Sequence, residues 1–406
     1  MSINLAPPYY DPYDAAIDAD PYPVWKRLRD EAPLYYNEQH DFYALSRFPD
    51  VLAASLDWTT YSSARGTVLE FIDTITPPTE APETDPSFGM MIFTDPPRHE
   101  ELRRLVSRAF TPRRVSALDV RVRELCAEFL EPQRGGTGFD YVEDFAAKIP
   151  TMVIGELLGV PKHDQDQLRQ WGDVMLRLEP DGMSAEKTEA IERFGKYMEA
   201  MVEERRRTPR DDMVSDLIAA EITRDDGSRR KLDHQEVMAF FTLLEIAGSE
   251  TTARLLGWAS VLLARHPEQR AKLVADPGLV PNAVEELLRY EPPSPIQARF
   301  VTRAAEWHGH VVPAGSKIAL LTGSAGHDER EFADPDRFDV ERRFDRHVTF
   351  GYGVHFCLGA NLARLEAQIV IEETLGRFPE WHVDEREVEL VRTSTVRGPS
   401  HVPIQL

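Results

Sequence analysis

The chain has 406 residues, two cysteines and a formal net charge of −22. Two cysteines far apart give no disulfide framework, and an acidic chain lacks the basic face that a nucleic-acid or anionic-membrane partner needs. No apolar run reaches the roughly 18 residues of a membrane span and no secretory leader is visible, so a cytoplasmic location is expected.

The chain opens with a proline- and tyrosine-rich arm over 6–22, expected to be irregular. Pro23 followed by VWKRLRDEA reads as a helix, 42–46 as a strand, and Phe48-Pro49-Asp50 as the start of a second helix through Leu56. The stretch 62–92 holds prolines, acids and scattered apolar residues with no sustained period. Structureless loops of that length in a compact domain are mostly functional or disordered.

Asp95-Pro96-Pro97 announces a helix that places His99 and Arg103 at i and i+4, on one face. Two cationic donors so placed suit either a carboxylate clamp or a solvated charged helix. Arg104, Arg108, Arg113 and Arg114 follow, a basic cluster in an acidic chain, fit to dock an acidic partner or simply to pair with nearby acids. From 118 to 230 the pattern is amphipathic helices broken by Gly, Pro and acidic turns, without a chemical constellation.

Asp233-His-Gln-Glu236 is a capping box that opens an apolar helix to His266-Pro267, about 45 Å long at 1.5 Å per residue. In its middle lie Ala247, Gly248, Ser249, Glu250 and Thr251, where glycine beside hydroxyls that bond back to the carbonyls favours local opening of the helix. Leu243, Ala247 and Thr251 share one face. Glu286 and Arg289 stand at i and i+3, Pro292-Pro293 starts an extended segment to Arg299, and strand-like pieces occur at 311–312, 317–321 and beyond 388.

The run Phe350 to Ala363, FGYGVHFCLGANLA, turns on Gly351, Gly353 and Gly359 around Cys357 and leads into an apolar helix near Leu358. A thiolate there would sit at the positive end of a helix dipole. Cys126, alone among apolar neighbours, reads as a small buried residue.

F-G-x-G-x-H-x-C-x-G-x-x-L-A resembles the haem-binding loop of the cytochrome P450 family, the haem-thiolate monooxygenases. The resemblance covers essentially the whole chain: D-P-P-x-H-x-x-x-R at 95–103, A-G-x-E-T at 247–251 and E-x-x-R at 286–289 stand in the family's order. It implies a mainly α fold with a minor β region, one domain over 1–406, a substrate-capping loop at 62–92, a central oxygen-binding helix at 233–266 and the haem-thiolate loop at 350–363. It implies haem b with Cys357 as the axial thiolate and Phe350, Gly351 and Gly359 shaping the loop. His99, Arg103, Arg299 and His355 would hold the propionates, and Ala247 and Gly248 would leave room for dioxygen.

By the same resemblance Thr251 and Glu250 would deliver protons to the distal oxygen, with Glu standing where Asp is commoner. Leu243, Ala247, Pro295, Ile296 and Thr395 would line the substrate pocket, and Glu286, Arg289 and Arg337 would form a buried structural network. Ala325-Gly326-His327-Asp328 departs from the family's Asn-Arg-Asp run. The implied activity is hydroxylation of a hydrophobic small molecule with O2. Two electrons would come from a separate ferredoxin-type protein, fed by an NAD(P)H-dependent reductase and docking near Arg104, Arg108, Arg113 and Arg114. Two rivals are a peroxide-driven peroxygenase, which the Glu250-Thr251 pair argues against, and a non-catalytic haem sensor, which needs no proton relay.

Overall fold

The computed structural model describes residues 7–74, 90–179, 183–223, 227–391, 393 and 395–406. The helix His234–Arg265 is its axis. Asp233 Oδ1 accepts from Glu236 N at 2.8 Å and Glu236 Oε2 accepts from Asp233 N at 3.0 Å, so the capping box is formed at both ends. The helix stops at His266, the residue before Pro267, where proline sterics disfavour the helical conformation. Phe240, Phe241, Leu256 and Leu262 are wholly buried along it. Lys148–Leu158, Lys162–Leu176, Ala185–Arg207 and Ala360–Arg377 pack around it, so it is enclosed on nearly every side.

The minor β region is set beside this bundle. A five-stranded sheet runs in the order Leu34–Asn37, Phe42–Leu45, Lys317–Leu320, Gln297–Val301 and Tyr61–Ser62. Its one parallel pair joins Phe42–Leu45 to Lys317–Leu320. A smaller sheet pairs His382–Val383, Pro403–Gln405 and Gly138–Asp140.

The helices Tyr22–Glu31 and Phe48–Leu56 and the strand Phe42–Leu45 lie where the sequence pattern puts them. The arm is less irregular than expected: Asp14 accepts from the backbone N–H groups of Ala16 and Ile17 and starts a short helix, Ala15–Ala19. The helical region 118–230 also holds a hairpin, Glu221–Thr223 with Arg229–Lys231, that its helical period does not announce. The break expected at 180–182 lies outside the described residues, as do the first two residues of the one expected at 225–228, where Gly227 takes a φ of 80°.

The buried ionic network needs one correction. Arg289 donates to both oxygens of Glu286 at 2.7 and 2.8 Å, with both side chains fully buried. Its Nη1 also reaches the carbonyls of Gly326 and Pro335. Arg337, expected as the third member, is instead 62% exposed and pairs with Asp334 and Asp339. Arg342 fills the place: it is 9% exposed and donates from Nε to Glu286 Oε1 at 3.0 Å. The chain turns back between the two arginines, with Asp339 N donating to the same oxygen, and this turn aims Arg342 inward.

Removing one partner of a buried pair costs about 3–5 kcal/mol, whereas an exposed arginine contributes within about 0.5 kcal/mol. Arg342→Ala is therefore expected to lower the urea midpoint strongly and Arg337→Ala to leave it in place, which equilibrium unfolding of the two variants checks.

Candidate active site

The cysteine loop is fixed by its backbone. Gly351 and Gly353 take φ of 66° and 72°, a region that side chains disfavour, and a Cβ on Gly353 would also stand 3.0 Å from Ser55 O. Cys357 N donates to Phe350 O at 2.9 Å, which closes the loop. The following helix, Ala360–Arg377, begins two residues later than expected, with Gly359 as its N-cap.

Although the Cys357 side chain is exposed, the protein packed around its sulfur displaces enough water to push the thiol above its ordinary pKa. The N–H groups of Gly359 and Ala360 and the cations Arg103 and Arg364 pull the other way and favour the thiolate. A metal ion at the sulfur would complete that deprotonation. Arg364, which the sequence reading did not single out, stacks over Phe350 at 4.6 Å and donates to both oxygens of Glu285. Against the effect of its burial, Glu285 is held down at about 2 by hydrogen bonds from His347 and Arg364.

Cys357 is exposed, and a Cβ built on Gly359 meets nothing within 4 Å. Open space thus lies beside the sulfur.

Around that space, buried nitrogen donors lack acceptors. His99 is buried with Nδ1 unpartnered, and its ring lies 4.3 Å from that of His355, whose Nε2 is also unpartnered and 3.9 Å from Asp95 Oδ1. Burial, with help from His355 and Arg103, pushes His99 down to about 3, and burial lowers His355 as well. Arg299, 8% exposed, is pushed down by burial to about 10. It donates to Ala298 O at 2.7 Å, and no carboxylate among the described residues lies within ion-pair distance of it. Arg103 donates to the carbonyls of Val354 and Phe356, at 3.3 and 2.7 Å, and so ties its helix, Arg98–Ser107, to the cysteine loop. Buried donors without acceptors are costly, and the chemistry that relieves this set is a dianion. Two propionates of a haem ligated by Cys357 fit it.

The central helix presents a matching face. Ala247 is exposed and Leu243 and Thr251 are half-buried, whereas Leu244, Glu245, Ser249, Glu250 and Thr252 are buried. The helix runs unbroken, and the opening expected at this point is not there. The hydroxyls of Ser249 and Thr251 bond to the carbonyls of Glu245 and Ala247, at 2.8 and 3.0 Å, without interrupting it. Gly248 is a second correction. A Cβ there would meet Ile154 Cγ1 at 3.0 Å, so this glycine serves close packing on the helix Lys148–Leu158 and does not clear space beside the sulfur.

Glu250 is 5% exposed, with Oε2 unpartnered and Arg254 Nε 3.9 Å from Oε1. Burial raises it to about 7, partly offset by Arg254 and reinforced by Asp173. The sequence reading missed Arg254 and Asp173, because nothing local marks a charged residue as buried.

Of the expected pocket residues, Thr395 accepts from Ser294 Oγ through its carbonyl at 3.1 Å, bringing the C-terminal turn to the segment after Pro293. Ile296 joins the apolar cluster of Tyr10, Trp25 and Phe42. Together with Pro295 it lines a small cleft with Pro12 and Ile17. These contacts lead to the N-terminal arm, not to the pocket expected for the two residues. The central part of the capping loop, 75–89, lies outside the described residues. On its flanks Phe71 and Phe93 meet edge to face at 6.2 Å. Arg104, Arg108, Arg113 and Arg114 are all exposed.

The family model described as cytochrome P450 matches residues 73–402. A protein of Mycobacterium tuberculosis named putative cytochrome P450 123 is 41% identical over 100% of this chain and 99% of its own length. The vitamin D(3) 25-hydroxylase of Pseudonocardia autotrophica is 36% identical over 98% of this chain and 96% of its own. The crystal structure of CYP109E1 from Bacillus megaterium in complex with testosterone superposes with a TM-score of 0.85 at 29% identity, covering 96% of this chain and 98% of that one.

Arg299→Leu is expected to have two opposite effects. Removing a buried guanidinium without a carboxylate partner should stabilise the haem-free protein by about 1–3 kcal/mol in urea unfolding. The same change should speed haem loss to apomyoglobin, a second assay on the same preparation.

Proposed function

Because the chain belongs to the cytochrome P450 family, a family of haem-thiolate monooxygenases that use haem b and dioxygen, we propose that it hydroxylates a hydrophobic small molecule with electrons from a separate ferredoxin-type protein. Haem bound through a cysteine thiolate supplies the reductive activation of dioxygen, with thiolate donation favouring O–O cleavage. In this reading Cys357 is the ligand, and Phe350, Gly351 and Gly359 shape its loop. His99, Arg103, Arg299 and His355 neutralise the propionates.

The observation that carries the oxygenase reading is Glu250 beside Thr251. An acid raised to about 7 holds a proton near neutral pH yet releases it readily. Its neighbour Thr251 lies on the stripe with exposed Ala247 and carries a hydroxyl whose proton is spent only on a helix carbonyl. Thr251 can turn that hydroxyl to the oxygen side, and Glu250 can replace the proton it gives. A haem sensor has no use for this pair, and a peroxide-driven enzyme has less.

The substrate pocket is assigned to Leu243, Ala247, the capping loop and the turn at Thr395. The vitamin D hydroxylase and the testosterone complex among its relatives support a rigid polycyclic lipid as the first class to try. Among the described residues no helix is long and apolar enough to cross a membrane. A cytoplasmic location is part of the same proposal, and two free cysteines agree with a reducing compartment.

Donor docking is assigned to Arg104, Arg108, Arg113 and Arg114. They lie on and just after the helix whose Arg103 holds Phe356 O, next to Cys357, and no described carboxylate lies within ion-pair distance of any of them. Unpaired cations on an otherwise acidic protein would steer an acidic donor.

The primary test is the absorption spectrum of the reduced protein under carbon monoxide. A strongly red-shifted Soret band, lost in Cys357→Ala, is expected, and a band at the position of histidine-ligated haem would refute the reading. Turnover of testosterone and vitamin D3 with a surrogate ferredoxin and reductase should exceed turnover with peroxide alone. Arg108→Glu with Arg113→Glu should slow reduction by about tenfold at low salt, an effect that shrinks as salt screens the charges. Glu250 is protonated below about 7 and ionised above it, so product formed per electron should fall as pH rises through 7. In Glu250→Gln that limb should vanish from the pH profile.

A further inference from the structure

The central helix buries two carboxyl groups with a partnerless oxygen, Glu250 Oε2 and Glu245 Oε2. Glu245 is 2% exposed and lies outside the A-G-x-E-T run. Opposite it is the helix Lys162–Leu176, where a Cβ on Gly172 would stand 3.9 Å from Glu245 Oε2.

The next residue, Asp173, has a side chain 29% exposed and lies within electrostatic reach of both glutamates. Its charge acts on both Glu245 and Glu250. One guanidinium spans the gap: Arg254 Nη2 is 3.8 Å from Asp173 Oδ1, and Arg254 Nε is 3.9 Å from Glu250 Oε1. On its outer side Asp173 meets Arg169 at 2.9 Å, and Arg169 in turn holds Glu143 at 3.0 Å and Asp166 at 3.2 Å. One partly exposed acid is thus linked through Arg254 to Glu250 and lies near enough to Glu245 to act on it electrostatically.

A carboxyl without hydrogen-bond partners in such a place is stable as the neutral acid. Burial raises both glutamates to about 7, and it raises Asp173 too, against the pull of Arg254 and Arg169 and with the push of Glu143 and Asp166.

We infer that Glu245, Asp173 and Glu250 form a three-carboxyl proton store behind the oxygen-facing stripe, filled from solvent at Asp173 and emptied through Glu250. This rests on the reading of Glu250 as a proton donor. Each transfer breaks one O–H bond and forms another: a hydronium ion or buffer acid in the solvent gives a proton to the Asp173 carboxylate and is left as water or the conjugate base, and Asp173 passes the proton to whichever glutamate has been emptied. Arg254 holds Asp173 and Glu250 in place while either is ionised. The two glutamates together hold two protons, the number consumed when RH, O2 and two electrons become ROH and water. Glu245 and Asp173 are positioning and relay residues, not catalytic ones.

The test uses the ferric holoenzyme without substrate, read by infrared difference spectroscopy of protonated carboxyl groups. In the parent protein two bands with midpoints near 7 are expected, one lost in Glu245→Gln and the other in Glu250→Gln. Asp173→Asn should lower both midpoints, since a neighbouring negative charge is gone, and should slow exchange of both protons after mixing into D2O by about tenfold. A merely structural Asp173 would leave the exchange rate alone. Asp173→Ser repeats the measurement should the asparagine variant fail the carbon monoxide spectrum.

Exchange as fast in both Asp173 variants as in the parent overturns the inference, and so does the absence of a Glu245 band at pH 6. The two readings fail differently. A missing Glu250 band sinks the donor role proposed above, whereas an intact Glu250 band with unslowed exchange sinks the store alone.

Discussion

The structure depends most on positive charge and polar nitrogen that are buried without full pairing, the carboxylate of Asp95 coming only within 3.9 Å of His355. Arg299 sits on a central strand of the five-stranded sheet, His99 begins the helix that grips the cysteine loop, and His355 lies in that loop. Three separate parts of the fold therefore supply buried nitrogens satisfied only in part: His99 Nδ1 and His355 Nε2 are unpartnered, and Arg299 bonds to the Ala298 carbonyl with no carboxylate among the described residues in ion-pair reach. Folding energy normally removes such arrangements, and their persistence marks a site whose partner arrives from outside the chain. His355 and the carbonyl contacts of Arg103 tie that imbalance to the loop of Cys357, itself exposed and followed by the open space at Gly359.

The central helix separates two environments. Leu243, Ala247 and Thr251 form an open stripe, while Glu245, Ser249 and Glu250 are buried among neighbouring helices. A single helix can do this because 3.6 residues per turn bring every fourth side chain to one face and leave the intervening ones on others. Glu250 and Thr251, adjacent in sequence, thus belong to different environments. The tight packing of Gly248 on Ile154 keeps the helix from rotating out of this register.

Much of this was legible in the sequence, for reasons that can be stated residue by residue. The capping box at Asp233, the apolar length of the helix it opens and the glycines around Cys357 are local features, and local rules read them well. The resemblance pointed to His99 and Arg299, which are buried, and to His355, whose Nε2 is buried, where spacing alone could not tell them from a charged surface. What failed was long-range. Arg337 and Arg342 are both arginines shortly after the same turn, and only the path of the chain shows which one reaches Glu286. Gly248 was assigned by motif, but its direction is set by a helix nearly a hundred residues earlier. Asp173 and Glu245 look like ordinary acids on amphipathic helices until the helices are brought together.

The parallel pairing of Phe42–Leu45 with Lys317–Leu320 has a consequence for how the protein is made. Helices of the middle third can pack on one another once residue 265 has emerged, although the central helix also waits for Ala360–Arg377. The strand at 42–45 must wait until residue 320 has emerged, and the N-terminal arm waits longer still, since Arg397 donates to the carbonyls of Asp18 and Ala19 that hold it in place. Non-local pairing of this kind is slow and leaves strand edges uncovered during synthesis. Arg299 lies on the strand beside Lys317–Leu320, and Cys357 comes later still. The haem site is consequently among the last parts to close, and a nascent chain stalled before Cys357 would lack both the thiolate and the helix Ala360–Arg377 that completes the bundle behind it.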